Sequence, residues 1–169
     1  MLRPVNGRML VIAVLVMLLA AAGTMYAGDN ALRKDAVYMV HSTALGLGGL
    51  LSKVEDRETQ LILLKEFVHK SRFFPKDCGY FFIINREGVC LAHGTQPEME
   101  GKTILHTKDI EGAPLTQRMI EEAETGGGFF EYMWQKPGSK KAFRKLGYVE
   151  PIPGTPYIIG TGVYFPTPW

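Results

Sequence analysis

The chain has 169 residues, of which 46% are hydrophobic and 21% are charged, and its formal net charge at pH 7 is +2. These proportions exclude a disordered or collagen-like chain, and the length is that of one domain. The 19 basic groups are nearly balanced by 17 acidic ones, whereas binding to a polyanion needs several Lys and Arg side chains on one face. Nucleic acid is therefore not expected as a partner.

The first 27 residues have the order of an export signal. A short cationic leader precedes an uncharged apolar run over residues 9–22, and small residues follow that run. This order is typical of a cleaved secretory signal peptide. The alternative is that residues 9–26 remain as an anchor in the inner membrane, for which about 20 apolar residues are needed. In both cases residues 28–169 are predicted to form an exported domain, which is periplasmic if the signal is cleaved.

Two helical segments are predicted next. Between Asp29 and about Phe74 the chain has no proline, and apolar residues recur at intervals of three and four. Three glycines between positions 46 and 49 indicate either a bend in the first helix or close packing on another backbone. The second helical run is predicted over Asp56–Phe74, because Pro75 ends it.

Beyond Pro75 the sequence consists of short apolar and aromatic runs separated by glycine and proline, which are typical of strands. One helix is predicted at Leu115–Thr125, in the long connection between the second and third strands. The predicted strands cover residues 79–85, 88–93, 128–135, 143–150 and 157–165. Their hairpin order, with one crossing connection, predicts an α+β fold in which long N-terminal helices pack on a five-stranded antiparallel sheet.

In the first predicted hairpin, pairing Ile84 with Val89 sets Tyr80 opposite His93. Directly opposed side chains in a sheet lie about 4.5–5.5 Å apart, so these two can touch. Phe82 is predicted to share their face, because side chains alternate along a strand.

The same register separates the two cysteines of the chain. Cys90 falls opposite Ile83, which puts it about 16 Å from Cys78, beyond the Cα separation of about 7 Å that a disulfide allows. Both thiols are therefore predicted to be unpaired. Alternation also puts Cys90 and His93 on opposite faces, so a thiol–imidazole catalytic pair is not expected.

In the second predicted hairpin, the loop over residues 135–142 places Trp134 opposite Phe143. Tyr132 then lies opposite Lys145, and the two side chains can touch.

Four stretches of the sequence resemble landmarks of single-Cache sensor domains of bacteria. They are Cys78–His93; Glu100–Lys102 with Lys108–Gly112; Gly126–Gly138; and Lys145–Thr155 followed by Ile159–Tyr164. They follow one another in the order of that family. The resemblance implies an extracytoplasmic sensor module of chemoreceptors, histidine kinases or diguanylate cyclases. It also implies a long helix against a PAS-like five-stranded sheet, and a small-molecule ligand that is often a short carboxylate.

Lys145, Tyr132 and Trp134 are the leading candidates for a ligand pocket. A buried ammonium needs a counter-charge, and because no acidic residue is adjacent in this strand, a ligand carboxylate could supply it. The two aromatic residues add apolar walls and one O–H and one N–H donor. The alternative is that Lys145 extends to solvent from an edge, beside a solvated basic loop formed by Lys140, Lys141 and Arg144. Lys145 and Tyr148 match the Lys-x-x-Tyr strand of the resembled family, which favours the pocket.

Five further residues complete the predicted ligand-binding set. His93 either donates to a ligand oxygen or is a hydrogen-bonded histidine at a strand end. Arg72, at the end of the second helix, either binds a carboxylate through two N–H groups or interacts with the helix C-terminus. The other members are Tyr80, Phe82 and the weaker candidate Tyr148.

Catalysis, metal binding and cofactor binding are not predicted. The four histidines lack zinc-binding spacing. The glycine run Gly126–Gly128 precedes a strand, so it lacks the helix N-terminus that a phosphate loop uses.

The sequence therefore predicts an exported sensor domain that binds a small organic acid or amino acid. Because the chain stops at Trp169, it is expected to have no output domain of its own and to act in signal transduction or chemotaxis through a membrane receptor or kinase. The alternative is an adaptor with an empty pocket that acts on a partner receptor through its long helix. That helix is also a candidate surface for a homodimer.

Overall fold

The structure is a computed structural model that describes residues 30–165. The chain divides into two compact units, Met1–Lys34 and Asp35–Trp169, and the second unit contains the sheet. The predicted signal peptide or anchor, residues 1–27, lies outside the described residues. Among the residues that are described, no helix has the length and apolar character needed to cross a membrane.

The described part of the chain contains three α-helices and five strands. The helices are α1 (residues 30–51), α2 (Arg57–Lys70) and α3 (Leu115–Glu124). The strands are β1 (Phe82–Asn85), β2 (Cys90–His93), β3 (Gly128–Gln135), β4 (Ala142–Pro151) and β5 (Tyr157–Tyr164). They form one sheet in the order β2-β1-β5-β4-β3, with every neighbouring pair antiparallel. The predicted α+β fold is confirmed.

Helix α1 is α-helical throughout its described length, including the glycines between 46 and 49. A Cβ atom on Gly48 would lie 2.8 Å from the backbone oxygen of Pro153, whereas one on Gly46 would meet nothing within 4 Å. Of the two alternatives that the glycines raised, close packing on another backbone is the one observed.

Helix α2 begins and ends with local hydrogen bonds. Asp56 is the N-cap, and its carboxylate accepts from the Thr59 N–H at 2.7 Å. The helix ends at Lys70, so the predicted end at Phe74 is wrong. Ser71 is already extended, and beyond it Phe73 pairs with Gly79 through two backbone bonds of 3.2 and 2.7 Å. This bridge takes the chain out of the helix before Pro75 is reached.

The predicted register of the first hairpin is wrong. Phe82 pairs with His93, and Ile84 pairs with Cys90 rather than with Val89. Leu91 is the extra residue of a β-bulge, because the register shifts between the pairs on its two sides. A bulge changes which face the following side chains occupy.

The predicted register of the second hairpin is confirmed. Trp134 pairs with Phe143, and Tyr132 pairs with Lys145. The long ladder between β3 and β4 has no register shift. Strand β5 then pairs with β4 and places Tyr164 directly opposite Lys145.

The two faces of the sheet have different coverings, and we name them by these. The helical face, which bears Phe81, Ile83 and Ile159, packs against apolar residues of α1 and α2. The cavity face, which bears Phe82, Ile84 and Tyr132, packs beneath α3. The residues that matter for function lie mostly on the cavity face.

Candidate ligand-binding site

Lys145 lies on the cavity face and is completely buried. Its Nζ donates a hydrogen bond to the Tyr80 hydroxyl at 2.8 Å. The same atom is 4.0 Å from the ring centroid of Tyr80, 4.6 Å from that of Tyr164 and 5.8 Å from that of Tyr132. The ammonium is therefore enclosed by three tyrosine rings, whose π faces attract a cation.

The space for the Lys145 side chain comes from a glycine on the adjacent strand. A Cβ atom on Gly162 would lie 2.4 Å from Cε of Lys145. Gly160, two residues earlier on the same face, leaves similar room for the ring of Phe82. The Gly-x-Gly pattern of β5 thus allows two large side chains of neighbouring strands to lie flat against it.

Within the described residues, Lys145 forms no ion pair. The acidic side chains with little exposure have other partners: Glu100 pairs with Lys65 and His69, Glu150 pairs with His41, and Asp109 accepts from the backbone N–H groups of Glu111, Ala113 and Met133. Burial lowers the pKa of Lys145, and the neighbouring Tyr80 hydroxyl offsets only part of that shift. The site holds a cation that the protein compensates with rings and one hydroxyl.

Tyr80 is polarised by this cation. Burial is the largest single influence and would raise the pKa of its phenol, but the charge and hydrogen bond of Lys145 together with hydrogen bonds to Tyr164 and Thr95 outweigh it, so the pKa is lowered. For Tyr132 and Tyr164, burial dominates and raises the pKa of each phenol. Of the three tyrosines, Tyr80 therefore has the most acidic hydroxyl and the strongest hydrogen-bond donor.

His93 is buried and neutral. Burial and then the charge of Lys145 lower the pKa of its imidazole to about 3. Its Nδ1 accepts from the backbone N–H groups of Thr95 and Gln96, at 3.3 and 3.0 Å. The proton of the neutral ring is therefore on Nε2, and this N–H has no acceptor among the described residues.

A cavity of about 30 Å³ lies between the sheet and α3. Five predicted site residues line it, namely Tyr80, Phe82, His93, Tyr132 and Trp134. Lys145 does not line the cavity itself, but it donates a hydrogen bond to Tyr80, which does. The volume is enough for about two water molecules.

Cys90 and His93 both line this cavity, so the prediction that they occupy opposite faces is wrong. The bulge at Leu91 shifts the alternation between them by one residue. Burial and the nearby Glu100 carboxylate raise the pKa of the Cys90 thiol to about 12, so it is a protonated, apolar wall. Cys78 and Cys90 are both free thiols, as predicted.

The structure places Arg72 and Tyr148 away from the cavity lining. The Arg72 guanidinium donates to the carbonyls of Val68, Ser71 and Gly94, and the first two lie at the end of α2. This is the helix C-terminus arrangement. Tyr148 faces the helical side, where its hydroxyl donates to Glu150 at 2.7 Å.

Sequence reasoning missed several residues of the site. Tyr164 and Gly162 require the register between β4 and β5, which the sequence does not mark, although their alternate spacing indicates a shared face. The connection before α3 and α3 itself contribute the rest of the cavity lining. These unanticipated lining residues are Met99, Ile104, Thr107, Leu115, Thr116 and Met119. Among the residues described, no cluster of three or more His, Cys, Asp or Glu could hold a metal ion.

Comparison with known proteins gives this fold a family. A family model described as a Cache domain matches residues 32–167. The chain is 34% identical over 91 residues to the sensor histidine kinase MctS of Rhizobium johnstonii, covering 54% of this chain and 20% of MctS. It is 24% identical over 164 residues to the methyl-accepting chemotaxis protein McpP of Pseudomonas putida, covering 92% of this chain and 29% of McpP.

A solved structure is similar over nearly its full length. It is a Cache chemosensory domain described for its recognition of carboxylic acids, 26% identical to this chain, with a TM-score of 0.71. The match covers 82% of this chain and 97% of that one. The chain spans less than a third of the two curated relatives, whereas it matches the isolated sensor domain almost completely. Because the family model matches most of the length of this chain, the chain belongs to the Cache domain family of sensor domains.

Proposed function

We propose that this chain is an exported sensor domain that binds a short aliphatic monocarboxylic acid in the cavity beside Lys145. The observation that carries the proposal is the complete burial of Lys145 without a carboxylate partner among the described residues. A buried ammonium is costly unless it is paired. A ligand carboxylate would supply the missing charge.

Two polar side chains of the cavity lining, Tyr80 and His93, suit a carboxylate. The Tyr80 hydroxyl accepts from Lys145, so its own O–H is available to a ligand oxygen and transmits the effect of the ammonium. The Nε2–H of His93 is the second donor. Donors that are charged, or polarised by a charge, make the stronger hydrogen bonds to carboxylates.

The non-aromatic part of the lining favours an unsubstituted tail. It consists mostly of apolar side chains with the neutral Cys90 thiol, and its polar atoms are the hydroxyls of Thr107 and Thr116. No acidic residue lines the cavity within the described part of the chain, so the ammonium of an amino acid would have no counter-charge there. A second carboxylate would lack a cation for the same reason. The small volume favours acids of few carbons.

The relatives support the proposal. The similar solved domain recognises carboxylic acids, and the curated relatives are a sensor kinase and a chemotaxis receptor. We infer an extracytoplasmic location for this domain. We also infer that its signal reaches a membrane receptor or kinase, as a partner or as a further part of the same protein.

The test is a calorimetric titration with acetate, propionate, lactate, pyruvate and a set of amino acids. We expect saturable binding of the monocarboxylates and none of the amino acids. Lys145→Met keeps the apolar stem but removes the charge. Because Lys145 acts on the ligand through the Tyr80 hydroxyl, and a hydrogen bond strengthened by a charge contributes about 1.5–3 kcal/mol, this variant should bind about 10- to 150-fold more weakly.

The matched control is Lys140→Met in the exposed β3–β4 loop, which should bind like the parent. Equal affinity of the Lys145→Met variant and the parent would remove Lys145 from the site. If no acid binds, the adaptor alternative is favoured, in which the domain acts on a receptor through α1.

A homodimer through α1 remains a proposal about partners. Tyr38 and Leu45 lie seven residues apart, so they share one face of α1, and they are 67% and 53% exposed. A helix face of this kind could pack against a second copy of itself. Leu45→Glu should abolish a dimer in sedimentation experiments, and a parent that is monomeric at high concentration would exclude it.

A further inference from the structure

The strand end at His93 is held between the cavity and α2. The His93 backbone N–H donates to Glu100 Oε1 at 3.0 Å, and the next carbonyl, that of Gly94, accepts from Arg72 at the end of α2. The Gly94 N–H continues the ladder to Phe81 at 3.0 Å. The backbone on both sides of the candidate ligand donor is thus held by three hydrogen bonds, one each to Glu100, Phe81 and Arg72.

Glu100 is the centre of this arrangement. Its side chain is only 9% exposed, and besides the His93 N–H it receives Nε2 of His69 at 2.6 Å and Nζ of Lys65 at 3.2 Å. His69 and Lys65 are four residues apart on α2, so they share one face of that helix. Burial would raise the pKa of Glu100, but these donors outweigh it and the pKa is lowered.

The bond from His93 to Glu100 also closes a short loop. Inside this loop lie Thr95 and Gln96, whose backbone N–H groups hold Nδ1 of His93. Met99, the residue before Glu100, lines the cavity. The carboxylate of Glu100 therefore fixes both the strand end that carries the imidazole and the loop that sets its tautomer.

We propose that Glu100 is a positioning residue, which keeps the His93 ring in the Nε2–H form required by a ligand acid and joins α2 to the binding site. The proposal rests on the proposed function for the nature of the ligand, but not for the state of the ring. Glu100 touches neither the cavity nor the ligand, and acts through His93. Hydrogen bonds to the residues that themselves contact a ligand commonly decide the orientation of those residues.

The test compares Glu100→Gln with Glu66→Gln. Both replace a carboxylate that pairs with a lysine of α2, but Glu66 is 61% exposed and pairs only with Lys70 at the surface. In the parent, three donors share the two carboxylate oxygens of Glu100. The amide of Glu100→Gln offers these donors a single acceptor oxygen. We expect about tenfold weaker binding of propionate by calorimetry for Glu100→Gln, or about 1.4 kcal/mol, and parent affinity for Glu66→Gln.

The second readout is the pair of imidazole ¹⁵N resonances of His93, assigned with a His93→Gln spectrum. In the ligand-free parent we expect the Nε2–H tautomer, and in Glu100→Gln a mixture of tautomers. Parent-like resonances in Glu100→Gln overturn the proposal even if binding is weaker, because Glu100 would then act through something other than the ring. If the parent binds no acid, the proposed function fails, while these resonances still decide the role of Glu100.

If Glu100→Gln does not fold, Lys65→Met combined with His69→Gln replaces it. This variant keeps the carboxylate and its bond to His93 but removes the two donors from α2. We expect a shift of the His93 resonances in the same direction and a smaller loss of affinity, about threefold. Unchanged resonances and unchanged affinity would show that α2 does not contribute to the site.

Discussion

On the helical face, the buried Glu150 carboxylate accepts from the Tyr148 hydroxyl at 2.7 Å and pairs with His41 at 3.0 Å. On the cavity face, the buried Lys145 ammonium has no carboxylate among the described residues, and the Nε2–H of His93 has no acceptor. The same five strands thus carry one face whose buried carboxylate has two side-chain partners and one face whose buried ammonium has no acidic partner among the described residues.

The packing of the two faces differs in the same way. The helical face is filled by apolar residues of α1 and α2, such as Val40 and Leu64, which are fully buried. The cavity face leaves about 30 Å³ between the sheet and α3. A buried, unpaired ammonium and an empty volume both reduce stability. The helical face therefore supplies close apolar packing, whereas the cavity face carries the features that reduce stability, the unpaired ammonium and the empty volume.

The largest expected effect comes from truncating the helical face. Leu64→Ala removes a fully buried side chain and should lower the free energy of unfolding by about 2–5 kcal/mol. Affinity of the folded domain for propionate should not change, because Leu64 does not line the cavity. Urea denaturation and calorimetry together measure both quantities.

The counterpart on the cavity face is Met119→Ala, which enlarges the cavity by shortening one of its apolar lining residues. We expect a shift of the preferred ligand toward a longer acid, measured as the ratio of affinities for butyrate and acetate. The same shift in Leu64→Ala would mean that the two faces are not separate in function.

The buried imidazole makes the cavity face sensitive to acid. The folded pKa of His93 is about 3, against about 6.5 in the unfolded chain. Between these values the unfolded state binds more protons, so stability is lost as the pH falls from 6.5 toward 3, and at pH 4 the loss attributable to His93 is about 3 kcal/mol. Urea denaturation at pH 7, 5 and 4 should show a smaller loss for His93→Gln than for the parent.

The control for this pH dependence is His106→Gln, at an exposed position, which should lose stability as the parent does. If the His93→Gln variant and the parent lose stability equally between pH 7 and pH 4, the ring of His93 is not buried in its neutral form.

Replacing the buried Lys145, in contrast to truncating a packed core residue, should not lower the free energy of unfolding of the ligand-free domain. Lys145→Met should leave the free energy of unfolding unchanged or raise it by up to about 2 kcal/mol, because an unpaired buried cation is lost. Burial lowers the pKa of Lys145 from its ordinary value of 10.5. The destabilisation of the parent is therefore complete below the lowered pKa and fades as the pH rises through it toward 10.5.

The difference between this variant and the parent should accordingly shrink as the pH is raised. Denaturation at pH 7 and pH 9.5 measures it, and Lys140→Met should show no such trend. A variant that is several kcal/mol less stable than the parent at pH 7 would mean that the tyrosine rings and the Tyr80 hydroxyl compensate the ammonium fully.

Local patterns predicted much of this architecture but not the contacts that complete the site. The pairing of Tyr132 with Lys145 could be derived because no bulge interrupts that hairpin. The predicted register of the first hairpin is wrong because no glycine or other signal in the sequence marks Leu91 as the extra residue of a bulge. Alternation is reliable only where the register is continuous.

The remaining site residues depend on contacts that are distant in sequence. Tyr164 encloses Lys145 only through the ladder between β4 and β5, and Glu100 reaches His93 only because the intervening loop folds back. Arg72 could be argued either way from the sequence, since a guanidinium suits both a ligand carboxylate and backbone carbonyls. Which of the two Arg72 binds depends on the position of Gly94 in the fold, and local sequence propensity does not predict that position.

The smallest expected effect concerns two glycines of α1 that the sequence cannot distinguish. In a helix interior, replacing glycine by alanine stabilises by about 0.5–1 kcal/mol. Gly46→Ala should give this gain, because its Cβ atom would meet nothing within 4 Å. Gly48→Ala would place a Cβ atom 2.8 Å from the Pro153 oxygen, and overpacking costs about 1–3 kcal/mol. The net change should therefore be a loss of about 1 kcal/mol. In thermal and urea denaturation, the changes in stability of the two variants should have opposite signs if α1 packs closely against Pro153. Equal gains in stability would show that α1 lies farther from Pro153.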